Sequence, residues 1–336
     1  MPQKNQNKKV SSASRGVIQD ESTPLLPVEN REDSPITNTH IPVLLDEVLL
    51  YLNPKKGESY LDLTAGYGGH AEKILERTLD HHAAVLIDRD QQSISFLQDK
   101  FRSDLPTIIK SDFWQGSREL HSKGKRYDII LADLGVSSPH LDMASRGFSL
   151  LADGPLDMRM DQTQPVTAEA IVNNYSEEQL VSILREYGQE PKARSIARLI
   201  IANRPISTTH QLASVVARAW SGPALRSKSR KHPAIRTFQA IRIAVNEELE
   251  QIKNTLPILF DMLTPGGRIA LISFHSLEDR IIKQAIRELA GNRYDAVLAD
   301  LTNGPVSASA NEIALNPRAR SAKLRAAAKI KTKEGA

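Results

Sequence analysis

The chain has 336 residues, a formal net charge of +4 and no cysteine. That length can bury a sizeable core in ~1–3 domains, and the lack of cysteine excludes disulfides, thiolate metal sites and a cysteine nucleophile. No apolar run approaches the ~18–20 residues of a membrane span and no secretory apolar segment follows Met1, so no membrane partner and a cytoplasmic location are expected.

Residues 1–38 are polar and punctuated by proline, the pattern of a disordered tail. Order is expected from His40. Val43, Leu44, Glu47, Val48 and Leu52 have helical spacing, stopped by Asn53-Pro54. An apolar run from Tyr60 to Leu63 then reads as a buried strand. It breaks into a glycine-rich turn (Gly66, Gly68, Gly69), followed by a helical pattern over 70–79. Strand, glycine turn and helix open a nucleotide-binding βαβ unit. Four more strands are expected at 83–88, 107–112, 127–133 and 268–273, with a helix over 90–101. Near-continuous apolar strands alternating with helices predict a parallel sheet covered on both faces.

Between the fourth and fifth strands the pattern is helical. Ser176-Glu-Glu-Gln179 has the form of a capping box opening a helix to Tyr187, and Thr208-Thr-His-Gln211 a second running to Trp220. A helix over 191–203 lies between them. One long helix over 237–263, broken near Pro257, returns the chain to the sheet. The expected architecture is a Rossmann-like α/β core (39–140 and 237–295) with an inserted all-helical domain (141–236). A basic C-terminal segment (296–336) follows. An insert at that sheet edge walls the crevice outside the strand ends, where ligands bind.

The candidate chemistry sits at the strand ends. Asp88 follows Gly66 by 22 residues, near the ~20 expected for a carboxylate on ribose hydroxyls. Glycine turn and acid serve NAD, FAD and S-adenosylmethionine alike. The third glycine that brings a helix close under a pyrophosphate is absent, which favours S-adenosylmethionine. Asp112 and Phe113 end the third strand, where they suit an adenine amino group and ring, or a helix cap beside a core Phe. Asp133, before a Gly/Ser/Pro loop, suits a target amine, or caps the loop: a carboxylate such as Asp133 and a backbone carbonyl, accepting from the amine N–H groups, free the nitrogen lone pair for methylation. Phe274 is placed to stack on a base and His275 to hydrogen-bond its edge or move a proton. No metal-ligand spacing appears. Five basic residues without an acid lie between Trp220 and Arg236, and seven between Arg318 and Lys333. Such clusters suit a polyanion, or are solvated loops and tail.

Eight motifs, in order, resemble the bacterial ribosomal RNA small subunit methyltransferase H family. They are Asp62-x-Thr-x-Gly-x-Gly-Gly-His70, Ile87-Asp-Arg-Asp90, Asp133-Leu-Gly-Val-Ser-Ser-Pro139 and Arg146-Gly-Phe-Ser149, followed by Asp153-Gly-Pro-Leu-Asp-Met-Arg-Met160, Lys231-His-Pro-Ala-x-Arg-Thr-Phe-Gln-Ala240, Ser273-Phe-His-Ser-Leu-Glu-Asp-Arg280 and Asn316-Pro-Arg-Ala-Arg-Ser-Ala-Lys-Leu-Arg325. The resemblance implies an S-adenosylmethionine-dependent enzyme that methylates N4 of a cytosine in the decoding region of 16S rRNA, acting as a monomer or homodimer. Cofactor contacts carried over by position are Gly68, Gly69, His70, Asp88, Phe113, Asp133 and His140, where the family often has Gln. Gly66 joins them from the turn itself. Lys231, Arg236, Arg318 and Arg320 are the expected RNA contacts. A non-catalytic RNA-binding assembly factor on the same fold is the alternative from another class, and the intact glycine turn, Asp88 and Asp133 argue against it.

Overall fold

The computed structural model describes residues 42–102, 106–136, 141–220, 232–291 and 294–330. The expected tail over 1–38, and the expected contacts His140 and Lys231, lie outside the described residues. Helix α1 (Leu45–Leu52) leads into β1 (Tyr60–Asp62), α2 (Gly69–Thr78), β2 (Ala84–Asp88) and α3 (Gln91–Lys100). Then come β3 (Thr107–Lys110), α4 (Phe113–Ser122) and β4 (Tyr127–Asp133). The helical segment contains α5 (Ala168–Asn174), α6 (Glu177–Glu186), α7 (Ala193–Ala202), α8 (Thr209–Ala219) and α9 (Ile235–Asn246). Last are α10 (Glu248–Met262), β5 (Leu263–Ser273), α11 (Ser276–Leu289), β6 (Leu298–Asp300), β7 (Val306–Ser307), α12 (Ala310–Leu315) and β8 (Lys323–Lys329).

The sheet order is β3-β2-β1-β4-β5-β8-β6, with β7 beside β8. The first five strands are parallel, and β8 runs antiparallel to β5 and β6. Alternation along each strand explains the apolar runs. Leu61, Val85, Ile87 and Ile130 pack on one face, against α10 and α11. Tyr60, Ala84, Leu86 and Ile129 pack on the other, against α1, α2 and α3. The helical segment encloses its own apolar cluster, from Phe148 through Ile171, Leu184, Ile196 and Val216 to Val245. Helix α9 serves two cores: Phe238 and Ile241 enter the helical cluster, Ile243 the sheet cluster.

Both expected capping boxes form, at Ser176 and at Thr208. Three features differ from the sequence reading. Helix α4 carries only three large apolar residues, Phe113, Trp114 and Leu120, around Gly116, and is not among the expected elements; it is started by Asp112, whose Oδ1 accepts from Gln115 N at 2.8 Å. The long helix breaks at Glu247, in the left-handed region at φ 52°, while Pro257 lies inside α10. Proline there removes one N–H, and the carbonyl it would have served belongs to the exposed residue Lys253, where water can replace it. The segment 296–336, expected only as a basic segment, supplies three strands, because its Ala326 and Ala327 fit the buried edge of β5. Its cations are partly consumed by the fold. Arg325 pairs with Asp279 at 2.7 Å, and Lys329 donates to the Asp261 and Leu263 carbonyls at 2.9 Å.

Candidate active site

Strand order reverses between β1 and β4, so their carboxyl ends open onto the crevice where ligands of such sheets bind. The turn after β1 is fixed from below. Tyr60 OH donates to buried Asp62 Oδ2 at 2.6 Å, and Thr64 N to Asp62 Oδ1 at 3.1 Å. Burial pushes the Asp62 carboxyl up to about 6. Gly66 N donates to Asp88 Oδ2 at 2.8 Å, and Asp90 N to Asp88 Oδ1 at 2.8 Å. Asp88 therefore holds both loops at the edge of the cleft.

The glycines are needed for different reasons. Gly66 (φ +51°) has open space where a Cβ would stand, nothing nearer than Thr64 O at 3.9 Å. A Cβ on Gly68 (φ +70°) would lie 2.9 Å from a Leu97 methyl, and one on Gly69 2.6 Å from Pro42. Gly66 thus leaves room for a ligand, whereas Gly68 and Gly69 let α3 and the chain before α1 close in.

Asp133 ends β4 beside this turn. Its backbone N donates to Thr64 Oγ1 at 2.6 Å. Its Oδ1 has no hydrogen-bond partner among the described residues. Burial, with Asp62 and Glu278 nearby, pushes its carboxyl up to about 8. His70 Nε2 lies 2.9 Å from the Val43 carbonyl, which only accepts, so that nitrogen carries a proton. Nδ1 is left 4.0 Å from Asp133 Oδ2.

One cleft gathers Gly66, Gly69, His70, Asp88, Phe113, Asp133, Phe274 and Arg318. Residues 37–330 match the profile of the MraW methylase family. The chain belongs to the MraW methylase family. It is 47% identical over 298 residues to the ribosomal RNA small subunit methyltransferase H of Cyanothece sp., covering 88% of this chain and 96% of that one. Proteins of the same description from Halothermothrix orenii and Acidobacterium capsulatum are each 44% identical, covering 87% and 86% of this chain and 98% of each relative.

Two motifs of this MraW-family chain are explained by one ion pair. Arg146 is buried and donates to Asp90 Oδ2 at 2.9 Å, and to the carbonyls of Arg159 and Met160 at 3.1 and 2.9 Å. Asp90 also caps α3. The 153–160 loop is thereby pinned to the end of β2 and brings Met160 to the cleft.

Not every expected residue reaches the cleft. Phe274 does, its ring packed where Gly135 (φ +112°) lacks a Cβ, 3.2 Å from that position. His275 does not line it. Its Nδ1 caps α11 by accepting from Glu278 N at 3.4 Å, and its Nε2 lies 3.1 Å from Glu278 Oε1. Burial pushes Glu278 up, but the close approach and charge of His275, with Arg242 and the Phe274 N–H nearby, hold it below its ordinary value. Arg236 is exposed and donates to the Gln189 carbonyl. Arg318 lines the cleft and pairs with Asp142 of the helical segment. Arg320 is exposed.

The sequence reading missed Thr64, Met160, Glu248, Gln251, Ile252 and Glu278, all lining the cleft. Glu248, His275 and Glu278 bring ligand-capable atoms within 4.8 Å of one another. Arg242 already donates to both Glu248 oxygens, at 2.9 and 2.8 Å, which makes the group an ion-pair network. Glu248 and Gln251 have no motif signal, since a polar residue one turn into a helix is ordinary. The one hint was the acid-rich start of α10, Glu247-Glu248-Leu-Glu250.

Proposed function

We propose that this cleft seats S-adenosylmethionine and that the enzyme methylates N4 of a cytosine in the decoding region of 16S rRNA, within the small ribosomal subunit or its precursor RNA. Family membership supports the reaction, and the cleft supports the seat. Asp62, Asp133 and Glu278 make an acid-rich pocket whose burial disfavours Asp133 ionisation, and a cationic ligand relieves that cost. A sulfonium with an α-ammonium group is such a ligand. The backbone at Gly66, Gly68, Gly69 and His70, the Asp88 carboxylate, the Phe113 ring and His140 are the proposed contacts. When bound, S-adenosylmethionine supplies an electrophilic methyl group on sulfur.

The observation that carries the reading is the unpartnered Oδ1 of Asp133 at the end of β4. A cytosine amine delocalises its lone pair into the ring. By accepting an N–H, Asp133 draws that lone pair back onto nitrogen and aims it. Phe274 is the proposed stacking partner of the base and His275 a positioning residue that holds Glu278. The base enters flipped or single-stranded between the sheet ends and the helical segment 141–236, which we assign as the inserted domain. Lys231, Arg236, Arg318 and Arg320 are assigned to the RNA backbone, with Arg318 exchanging Asp142 for phosphate. The reading takes the protein as a cytoplasmic monomer or homodimer.

Transfer of labelled methyl groups to small-subunit rRNA, lost in Asp133→Ala, is the expected result, with mass mapping placing the label on one cytosine. No transfer by the wild-type protein to any ribosomal substrate would overturn it.

A further inference from the structure

A cytosine amine has two N–H groups, and Asp133 Oδ1 is one acceptor. Buried polar groups seldom go unpaired in a folded protein, so an unpaired acceptor in a cleft asks for a ligand donor. Among the residues lining this cleft, Gln251 Oε1 is also buried without a hydrogen-bond partner, and the residue is 8% exposed. Arg242 holds both Glu248 oxygens. Glu278 Oε2 accepts from Phe274 N at 2.7 Å; its Oε1 has no hydrogen-bond partner either, but lies 3.1 Å from its ion-pair partner His275 Nε2.

The orientation of the Gln251 amide is set by chemistry. Its Nε2 donates to the Asn246 carbonyl at 3.2 Å, and a carbonyl can only accept, so the oxygen is the end left over. Asn246 is itself fixed: its Oδ1 accepts from Met160 N at 2.9 Å, and its Nδ2 donates to the Met158 carbonyl at 2.8 Å. The break at Glu247 frees the Asn246 carbonyl for Gln251 and starts α10 at a new angle.

We infer that Gln251 is the second acceptor for the target amine, pairing with the N–H that Asp133 leaves, and so selects a primary-amine base over one bearing a carbonyl oxygen. The inference rests on the cytosine-methyltransferase reading. Two acceptors facing position 4 of the ring welcome cytosine, whereas uracil presents an oxygen there and meets lone pair with lone pair.

The test is binding of a synthetic decoding-region rRNA hairpin with S-adenosylhomocysteine saturating, so that no turnover occurs. Hairpins carrying cytosine or uracil at the target are compared. Wild type is expected to prefer cytosine by about 100-fold or more, and Gln251→Met to lose about tenfold of that preference. S-adenosylhomocysteine affinity should stay within about twofold, because the lost contact is to the base. Gln251→Glu, whose burial favours the protonated carboxyl, keeps both a donor to the Asn246 carbonyl and an acceptor for the base, and is expected to retain the preference within about threefold. If Gln251→Met does not fold, the glutamate variant decides, and loss of its preference overturns the inference. A Gln251→Met protein that keeps the full preference also overturns it. Wild type that transfers no methyl to any ribosomal substrate overturns the methyltransferase reading instead, and the two failures are distinct.

Discussion

One wall of the cleft is the strand ends β1, β2 and β4; the other is the start of α10. On the first wall, contacts are made mostly by backbone. Asp88 and Asp62 accept from N–H groups of the turn, and three glycines give close approach or room. On the second, side chains make the contacts. Asn246 holds Met158 and Met160 from far along the chain, and Arg242 holds Glu248 across the break at Glu247, while Arg146, holding Asp90, ties the 153–160 loop back to the first wall. A wall built from backbone keeps its geometry through most side-chain changes. A wall built from paired charges fails when either partner is removed.

The largest effect should therefore come from the second wall. Arg242→Met leaves Glu248 buried and unpaired, and a loss of about 3–5 kcal/mol is expected by urea titration. A loss under about 1 kcal/mol would mean that Glu248 turns to solvent and that this wall is soft. Next, Asp133→Asn should lower kcat about 10²–10³-fold in methyl transfer, with the fold intact by circular dichroism. On the first wall, Gly69→Ala forces a methyl against Pro42 and should cost about 1–3 kcal/mol, whereas Gly66→Ala meets only backbone strain, about 1–2 kcal/mol. Equal costs would erase the distinction between a glycine that packs and one that leaves room.

Asp133 also makes the comparison pH-dependent. Its folded value, about 8, lies above the ordinary carboxylate range near ~4. Its contribution to stability is full below that ordinary value and is lost as pH rises through about 8. Melting curves of Asp133→Asn should therefore gain on wild type from acid pH up to about 8 and then level off. The cationic S-adenosylmethionine favours the ionised form, so its affinity should rise with pH across that window more than that of S-adenosylhomocysteine, by titration calorimetry. The smallest effect is expected at the exposed Arg320: Arg320→Ala should lower the slope of log K against log salt for RNA by about 0.7.

The core strands, the glycine turn and both capping boxes were legible because each rests on neighbours in sequence. Phe274 was read from its place at a strand end and lines the cleft. His275 was read the same way, but which way a side chain turns at a strand end depends on what packs beside it, here Glu278. The basic C-terminal run read as free charge because Asp279, Asp261 and the edge of β5 are distant in sequence.

By itself, then, the sequence determined the Rossmann-like sheet, its ligand-binding end and the acids Asp88 and Asp133, because alternation, glycine φ values and strand-end placement are local properties. The tertiary structure alone decided that the helix breaks at Glu247, that Glu248 and Gln251 line the cleft, and that Arg325 and Lys329 serve the fold. Those outcomes depend on which buried polar group finds a partner, and the partners lie dozens of residues away or one break aside.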